Sequence, residues 1–242
     1  MSVARFFVAA DLAVGGEIAL PADLAHHAFD VLRLRADAHV TLFNGRGGEY
    51  RARLLGRQAA VVEAFDPVER ESPLAITLVQ ALVAQDKLDW IVEKATELGV
   101  ARIVVAPATR SIVKLAAQRL AARLARWNDR ARAACCQCGR NRIPPVTWLP
   151  ALDEALRTSE SAHCFILAPG APSDLTLPAR LDSVTIAIGP EGDFTDAELA
   201  TAERCGYRRA RFGPRILRTE TAGVAAIAAL QAARGDLRVR DA

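Results

Sequence analysis

The chain has 242 residues, of which 51% are hydrophobic and 24% charged, with a formal net charge of +3. That composition excludes a disordered chain and suits one large soluble domain or two small ones. The longest apolar runs, such as Ala222–Leu230, fall far short of the roughly 20 residues of a membrane helix, and Met1-Ser2-Val3-Ala4-Arg5 lacks the features of a secretion signal, so a cytoplasmic protein is expected.

Residues 1–72 read as a small β-rich domain. Arg5–Ala9 is a short strand. Leu24–Leu34 has helical spacing, with Leu24, Ala28, Val31 and Leu32 along one side. Val40–Phe43 is a strand ended by the turn Asn44-Gly45-Arg46-Gly47-Gly48, and Tyr50–Leu55 and Ala59–Phe65 follow as alternating strands. The polar, proline-containing Glu69–Pro73 is the linker candidate. A second domain, 73–242, then alternates strands with helices. Ile76–Leu82 is a buried strand. Asp86–Leu98 is a helix closed by Gly99, and Ile103–Ala106 the next strand. Ala116–Arg132 is a long helix with Arg119, Arg123, Arg126 and Arg130 on one side. Strands are expected at Val146–Trp148, Cys164–Leu167, Ser183–Ile188 and Ala210–Arg211. A helix Asp196–Cys205 is capped by Thr195 or Asp196, and a last helix runs from near Glu220 through Ala233. Alternation of this kind implies a mostly parallel sheet with helices on both faces, an α/β fold that binds ligands beyond the C-terminal strand ends.

The five cysteines are an odd number without a secretion signal, which favours free thiols. Cys135 and Cys138 have CxxC spacing, with Cys136 between them, but no second pair completes a metal site, and none is expected. Charge is unevenly placed. Arg110–Arg142 holds nine basic residues and one acid, whereas residues 1–72 hold eight basic and ten acidic. The basic stretch suits a phosphate-facing patch and suits a solvated helix face equally well.

Three bends at expected strand ends carry the chemistry. They are Leu167-Ala168-Pro169-Gly170, then Ile188-Gly189-Pro190-Glu191-Gly192-Asp193, then Phe212-Gly213-Pro214-Arg215-Ile216-Leu217-Arg218-Thr219-Glu220. Glycine lets backbone approach a ligand and proline stiffens the path. The second bend is neither a Walker loop, lacking the Lys-Ser/Thr pair, nor G-x-G-x-x-G. Singly, each bend reads as ordinary turn chemistry; their coincidence at successive strand ends points to a ligand site.

Gly189-Pro190-Glu191-Gly192 and Gly213–Ala222 resemble the two signature motifs of the RsmE family of 16S rRNA (uridine-N3) methyltransferases, of the SPOUT class. So do Lys94–Val100, Thr109-Arg110-Ser111 and Lys114. His26-His27, Val31-Leu32-Arg33 and Gly48-Glu49-Tyr50 stand in the family's order. The resemblance spans nearly the whole chain. It implies a PUA-like N-terminal β-barrel and a trefoil-knotted SPOUT domain, although knots are otherwise rare. It also implies a homodimer, S-adenosyl-L-methionine (SAM) as cofactor and the 30S ribosomal subunit as partner, with uridine 1498 the family's target. Carried onto this chain, the cofactor residues are Leu167, Ala168, Pro169, Ile188, Gly189, Pro190, Glu191, Gly192, Phe212, Gly213, Ile216, Leu217, Arg218 and Thr219. Two departures stand out. Asp193 replaces a second glycine, where it could narrow the pocket or cap the next helix. Ala133–Cys138 lacks the family's acids, although Gln137 and Arg140 keep their places.

Uridine N3–H is a weakly acidic imide on the pairing edge, so the base must be unpaired before attack. Charge spreading to O2 and O4 calls for a fixed cation, and Arg218 is the first candidate. Pairing of Arg218 with Glu191 or Glu220 is its structural alternative. Glu191 and Glu220 are candidates for proton removal or for orienting Arg218. Candidate RNA contacts are His27, Arg33, Lys87, Arg110 and the row Arg119, Arg123, Arg126 and Arg130. Three readings compete: another RNA target or ribose 2′-O chemistry, a non-catalytic ribosome-assembly protein, and a nucleotide-dependent enzyme.

Overall fold

The computed structural model describes residues 3–237. The chain divides into two compact units. One extends to Glu71 and takes in Cys135–Ile143; the other comprises Ser72–Ala134 and the chain from Pro144 onward.

The first unit is a five-stranded sheet in the order β1-β3-β4-β5-β2. Its strands are β1 (Arg5–Phe7), β2 (Glu17–Ala19), β3 (His39–Phe43), β4 (Glu49–Leu54) and β5 (Ala59–Asp66). β1 pairs parallel with β3, and the other pairs are antiparallel. The period-2 pattern read in β3–β5 buries Val40, Leu42, Ala52, Leu54, Ala60 and Val62 in one core with Phe6 and Leu24. The expected helix Leu24–Leu34 is instead a short α1 (Ala22–His26) that widens into a π-helical turn, His27–Val31. Leu24 and Ala28 face the core, but Val31 and Leu32 are 58% and 44% exposed, against expectation. The extra residue per π turn rotates them off the buried face. β2 went unread, being three residues long with only Ile18 half-buried.

The segment expected to be a linker is tied down. Arg140 is buried and donates to Glu71, Arg142 donates to Glu69 at 3.0 Å, and the buried Asn141 donates to the Val68 carbonyl at 2.7 Å. Arg5 hydrogen-bonds both Glu49 and Asn141, and Arg70 adds a 2.8 Å bond to Glu49. Thus Cys135–Ile143, which the sequence reading places in the second domain, packs with the first unit. Pairings across some seventy residues leave no trace in a local pattern.

The second unit is a six-stranded sheet in the order β11-β9-β10-β6-β7-β8, parallel throughout. The elements run β6 (Ala75–Ala81), α2 (Gln85–Glu97), β7 (Arg102–Ala106), α3 (Ala117–Cys138), β8 (Val146–Trp148), α4 (Leu152–Arg157), β9 (Cys164–Leu167), β10 (Ser183–Ile188), α5 (Asp196–Arg204), β11 (Tyr207–Ala210) and α6 (Thr219–Arg234). β9 is buried at every residue and β10 at all but its first, as parallel strands covered on both faces must be. α3 runs six residues beyond its expected end, and the short α4 went unread. The register sets Ile188 beside Leu167 and Leu167 beside Ala210, so three strands end level. From edge strand β11 the chain returns past β9 to lay α6 on α2, β10 and β6. The β9–β10 connection flanks that return. Ser173 and Leu175 hydrogen-bond the backbone of Arg211, and the Pro178 carbonyl accepts from Arg234. These bonds hold the β9–β10 connection against the chain that returns from β11.

Candidate cofactor pocket and active site

Because β9, β10 and β11 end level, the three bends that follow them meet. They enclose a cavity of about 390 Å³ within the second unit, in the size range of small-molecule sites. Leu167, Ala168 and Pro169 line it from the first bend and Ile188, Gly189, Pro190 and Glu191 from the second. Phe212, Gly213, Ile216, Leu217, Arg218 and Thr219 line it from the third. Asp193, Glu220 and Lys87 also face it. Gly192 is absent from the lining. Its carbonyl accepts from Arg110 at 2.9 Å, and a Cβ there would stand 3.0 Å from the Arg110 Cβ, so it is needed for close packing. Gly213 has φ +76°, a left-handed turn that a β-branched residue would strain.

A buried chain of hydrogen bonds pins two of the bends. Gln80, fully buried near the end of β6, donates to the Thr219 hydroxyl at 3.0 Å and to the Ala81 carbonyl at 3.2 Å. The Thr219 hydroxyl donates to the Gly189 carbonyl at 2.6 Å. Sequence reasoning passed over Gln80. An amide inside the apolar run Ala75–Val83 was the signal, since a buried amide is retained where it has partners.

The acids of the pocket are held by lysine rather than arginine. The Lys87 ammonium lies 2.9 Å from Glu191 and 3.6 Å from Glu220. Arg218, the N-cap residue of α6, is exposed and has no ion-pair partner among the described residues, leaving its guanidinium free. Lys87, expected to touch phosphate, is engaged by these carboxylates. Their hydrogen bond raises its pKa, with burial opposing. Burial works to raise Glu191, but hydrogen bonds from Lys87 and backbone together with the Lys87 charge outweigh it, so Glu191 sits below its ordinary value. Asp193 adopts φ +60°, a conformation that Asp tolerates better than most residues, and accepts from the Phe194 N–H at 2.8 Å. It closes its own turn. Thr195 caps α5 through a capping box with Glu198.

The RNA-contact candidates divide between the units. In the first, His27 and Arg33 are exposed; the His27 ring meets Phe6 edge-on, and Arg33 has φ +53°. In the second, Arg119 and Arg130 are exposed and Arg123 half-buried, whereas Arg126 forks onto Asp89 at 2.6 and 2.8 Å. Among the described residues no cluster of His, Cys, Asp or Glu is arranged to hold a metal ion.

A sequence model described as an RNA methyltransferase domain matches residues 70–231, and one described as an RNA methyltransferase PUA domain matches residues 20–65. The chain belongs to the RsmE family of RNA methyltransferases. Its relatives include ribosomal RNA small subunit methyltransferase E of Buchnera aphidicola, 29% identical over 97% of this chain and 98% of that protein. The Mycobacterium tuberculosis enzyme of that name is 30% identical over 94% and 91%. Among solved structures, ribosomal RNA small subunit methyltransferase E of Neisseria gonorrhoeae, bound to SAM, has a TM-score of 0.89 at 37% identity, covering 98% of this chain and 100% of its own. A Legionella pneumophila protein in complex with SAM has a TM-score of 0.92 at 33% identity, with the same coverage. The fold is therefore SPOUT with an N-terminal PUA domain, and the pocket described above is that of an RsmE-family methyltransferase.

Proposed function

We propose that this protein transfers the methyl group of SAM to N3 of a uridine in 16S ribosomal RNA, acting on the small ribosomal subunit in the cytoplasm as a homodimer. The observation that carries the reading is the meeting of the three bends in one cavity, in a chain whose relatives bind SAM and are named for small-subunit rRNA. The residues present fit that cofactor. Leu167, Ile188, Phe212 and Leu217 offer apolar walls to a purine, and the carboxylates of Glu191 and Glu220 suit the cationic sulfonium. SAM, when bound, supplies an already activated methyl group.

The chain's own residues then have three tasks: to hold the base at attack distance, to exclude water and to take one proton. The N3–H proton passes to a carboxylate, Glu191 or Glu220, which frees the N3 electron pair to displace the neutral thioether from the methyl group. Lys87 keeps these acids in place. Arg218, free of any acid, faces the negative charge that spreads to O2 and O4. The PUA domain, spanning residues 1–72 in this reading, supplies RNA contacts through His27 and Arg33. Arg110, Arg119, Arg123 and Arg130 on the SPOUT domain, 73–242, add phosphate contacts that position the RNA without reading its sequence.

The test is methyl transfer from labelled SAM to 30S subunits and to free 16S RNA, with the modified nucleoside identified by mass spectrometry. 3-Methyluridine is expected. A ribose-methylated product would overturn the N3 assignment, and RNA binding without SAM uptake would leave a non-catalytic binding protein.

A further inference from the structure

Between Glu203 and Glu220 the chain carries six arginines and no acid: Arg204, Arg208, Arg209, Arg211, Arg215 and Arg218. The stretch runs from the last residue of α5, along β11, which is an edge of the parallel sheet, into the bend that lines the pocket. Two of the six are neutralised, Arg209 by Glu203 and Arg211 by Asp174, both at 2.8 Å. The other four are exposed, and no carboxylate pairs with any of them among the described residues. Elsewhere, the exposed Arg46, Arg57, Arg142 and Arg157 each have one, whereas Arg33, Arg119 and Arg130 have none among the described residues.

Ordinary structural roles account for part of this. A charged edge strand resists pairing with another sheet, and Arg204 suits the C-terminal end of α5. They do not account for the direction of the row. A strand rises about 3.3 Å per residue, so Arg208 stands about 10 Å below Arg211 at the pocket rim. The Arg208 guanidinium lies over the Phe165 ring, 4.4 Å being the matching distance for Arg5 over Phe43 and 4.5 Å the value here. Stacking restrains the arm without using its charge, so a cation is held in place at the sheet edge.

We propose that Arg204 and Arg208, continuing into Arg215, form a phosphate track on the SPOUT domain along which the RNA strand reaches the pocket. The partner is a polyanionic backbone, bound by charge and not by sequence. This rests on the reading of the protein as an RNA methyltransferase and adds a contact surface distinct from the arginines of α3.

The test compares wild type with the double variant Arg204→Gln/Arg208→Met, in which methionine keeps an apolar cover on Phe165. Neither position lines the pocket. The KM for 16S RNA is measured between about 50 and 300 mM salt, and SAM affinity by calorimetry. The expected result is a several-fold higher KM for RNA, a slope of log affinity against log salt shallower by about 1 to 2, and unchanged SAM affinity. Arg208→Lys, which keeps the charge and loses the stack, should retain the wild-type slope. If the double variant matches wild type in KM and slope while wild type methylates RNA, the track alone is overturned. If wild type binds SAM but methylates no RNA, the reading of the function falls and the track with it.

Discussion

Single residues decide how the pocket is held and how it reacts. Gln80→Leu removes the donor to Thr219 and loosens the tie between Thr219 and Gly189. Loss of a buried hydrogen bond costs on the order of 1 kcal/mol, so SAM affinity should fall about fivefold by calorimetry. Arg218→Ala should lower kcat by about 10²-fold with SAM affinity little changed; full turnover would remove Arg218 from the mechanism. The Lys87–Glu191 pair makes a pH prediction. The lowered Glu191 contributes above its unfolded-state pKa and loses that contribution as pH falls through the folded one. The raised Lys87 contributes below its unfolded-state pKa and loses that contribution as pH rises through the folded one. Both are charged from about pH 5 to about pH 10. The difference in unfolding free energy between wild type and Lys87→Met should therefore be flat from about pH 6 to pH 9, and a change within that window would contradict the pairing. Burial pushes the Cys135 thiol up to about 12, so it should be a poor nucleophile at neutral pH and resist alkylation by iodoacetamide.

At the scale of elements, the parallel sheet is both core and scaffold. Ile186, fully buried in the middle of β10, sits two residues before the bend. Ile186→Ala should cost about 2–5 kcal/mol in denaturant unfolding, and a cost under about 1 kcal/mol would mean that β10 is not central. Local pattern was enough to read most elements. Strands β8, β9 and β10 lie where apolar runs between turn residues put them, and of the two expected caps of α5, Thr195 and Asp196, it is Thr195 that caps it. Three elements escaped it, and β11, expected at Ala210–Arg211, lies at Tyr207–Ala210. β2 and α4 are too short to show a period, and the π-helical turn looks like α-helix in spacing until its geometry is known. α3 was cut short because the small, weakly polar run Ala133–Cys138 gives little periodic signal. Tertiary burial of Ala134 and Cys135 carries the helix on.

At the scale of the whole molecule, two units are built from four stretches of chain, two in each, because α3 ends in the first unit after beginning in the second. Homodimer formation, carried over from the family, predicts a solution mass of about twice 26.0 kDa, which light scattering would measure; a monomer with full methyl transfer would overturn the homodimer.

The sequence by itself determined the α/β class, the strand ends and the glycine- and proline-bearing bends, because periodicity and turn chemistry are local properties of backbone and side chain. Nearly every residue lining the cavity was legible in that way. Only tertiary structure decided that Leu167, Ile188 and Ala210 stand in one row. The same holds for the pairing of Glu191 and Glu220 with Lys87 rather than Arg218, for the engagement of Arg126 by Asp89, and for the place of Gln80 beneath the second and third bends. Each of these depends on groups brought together from distant points of the chain. Strand register and side-chain reach select among such partners only once the fold has closed.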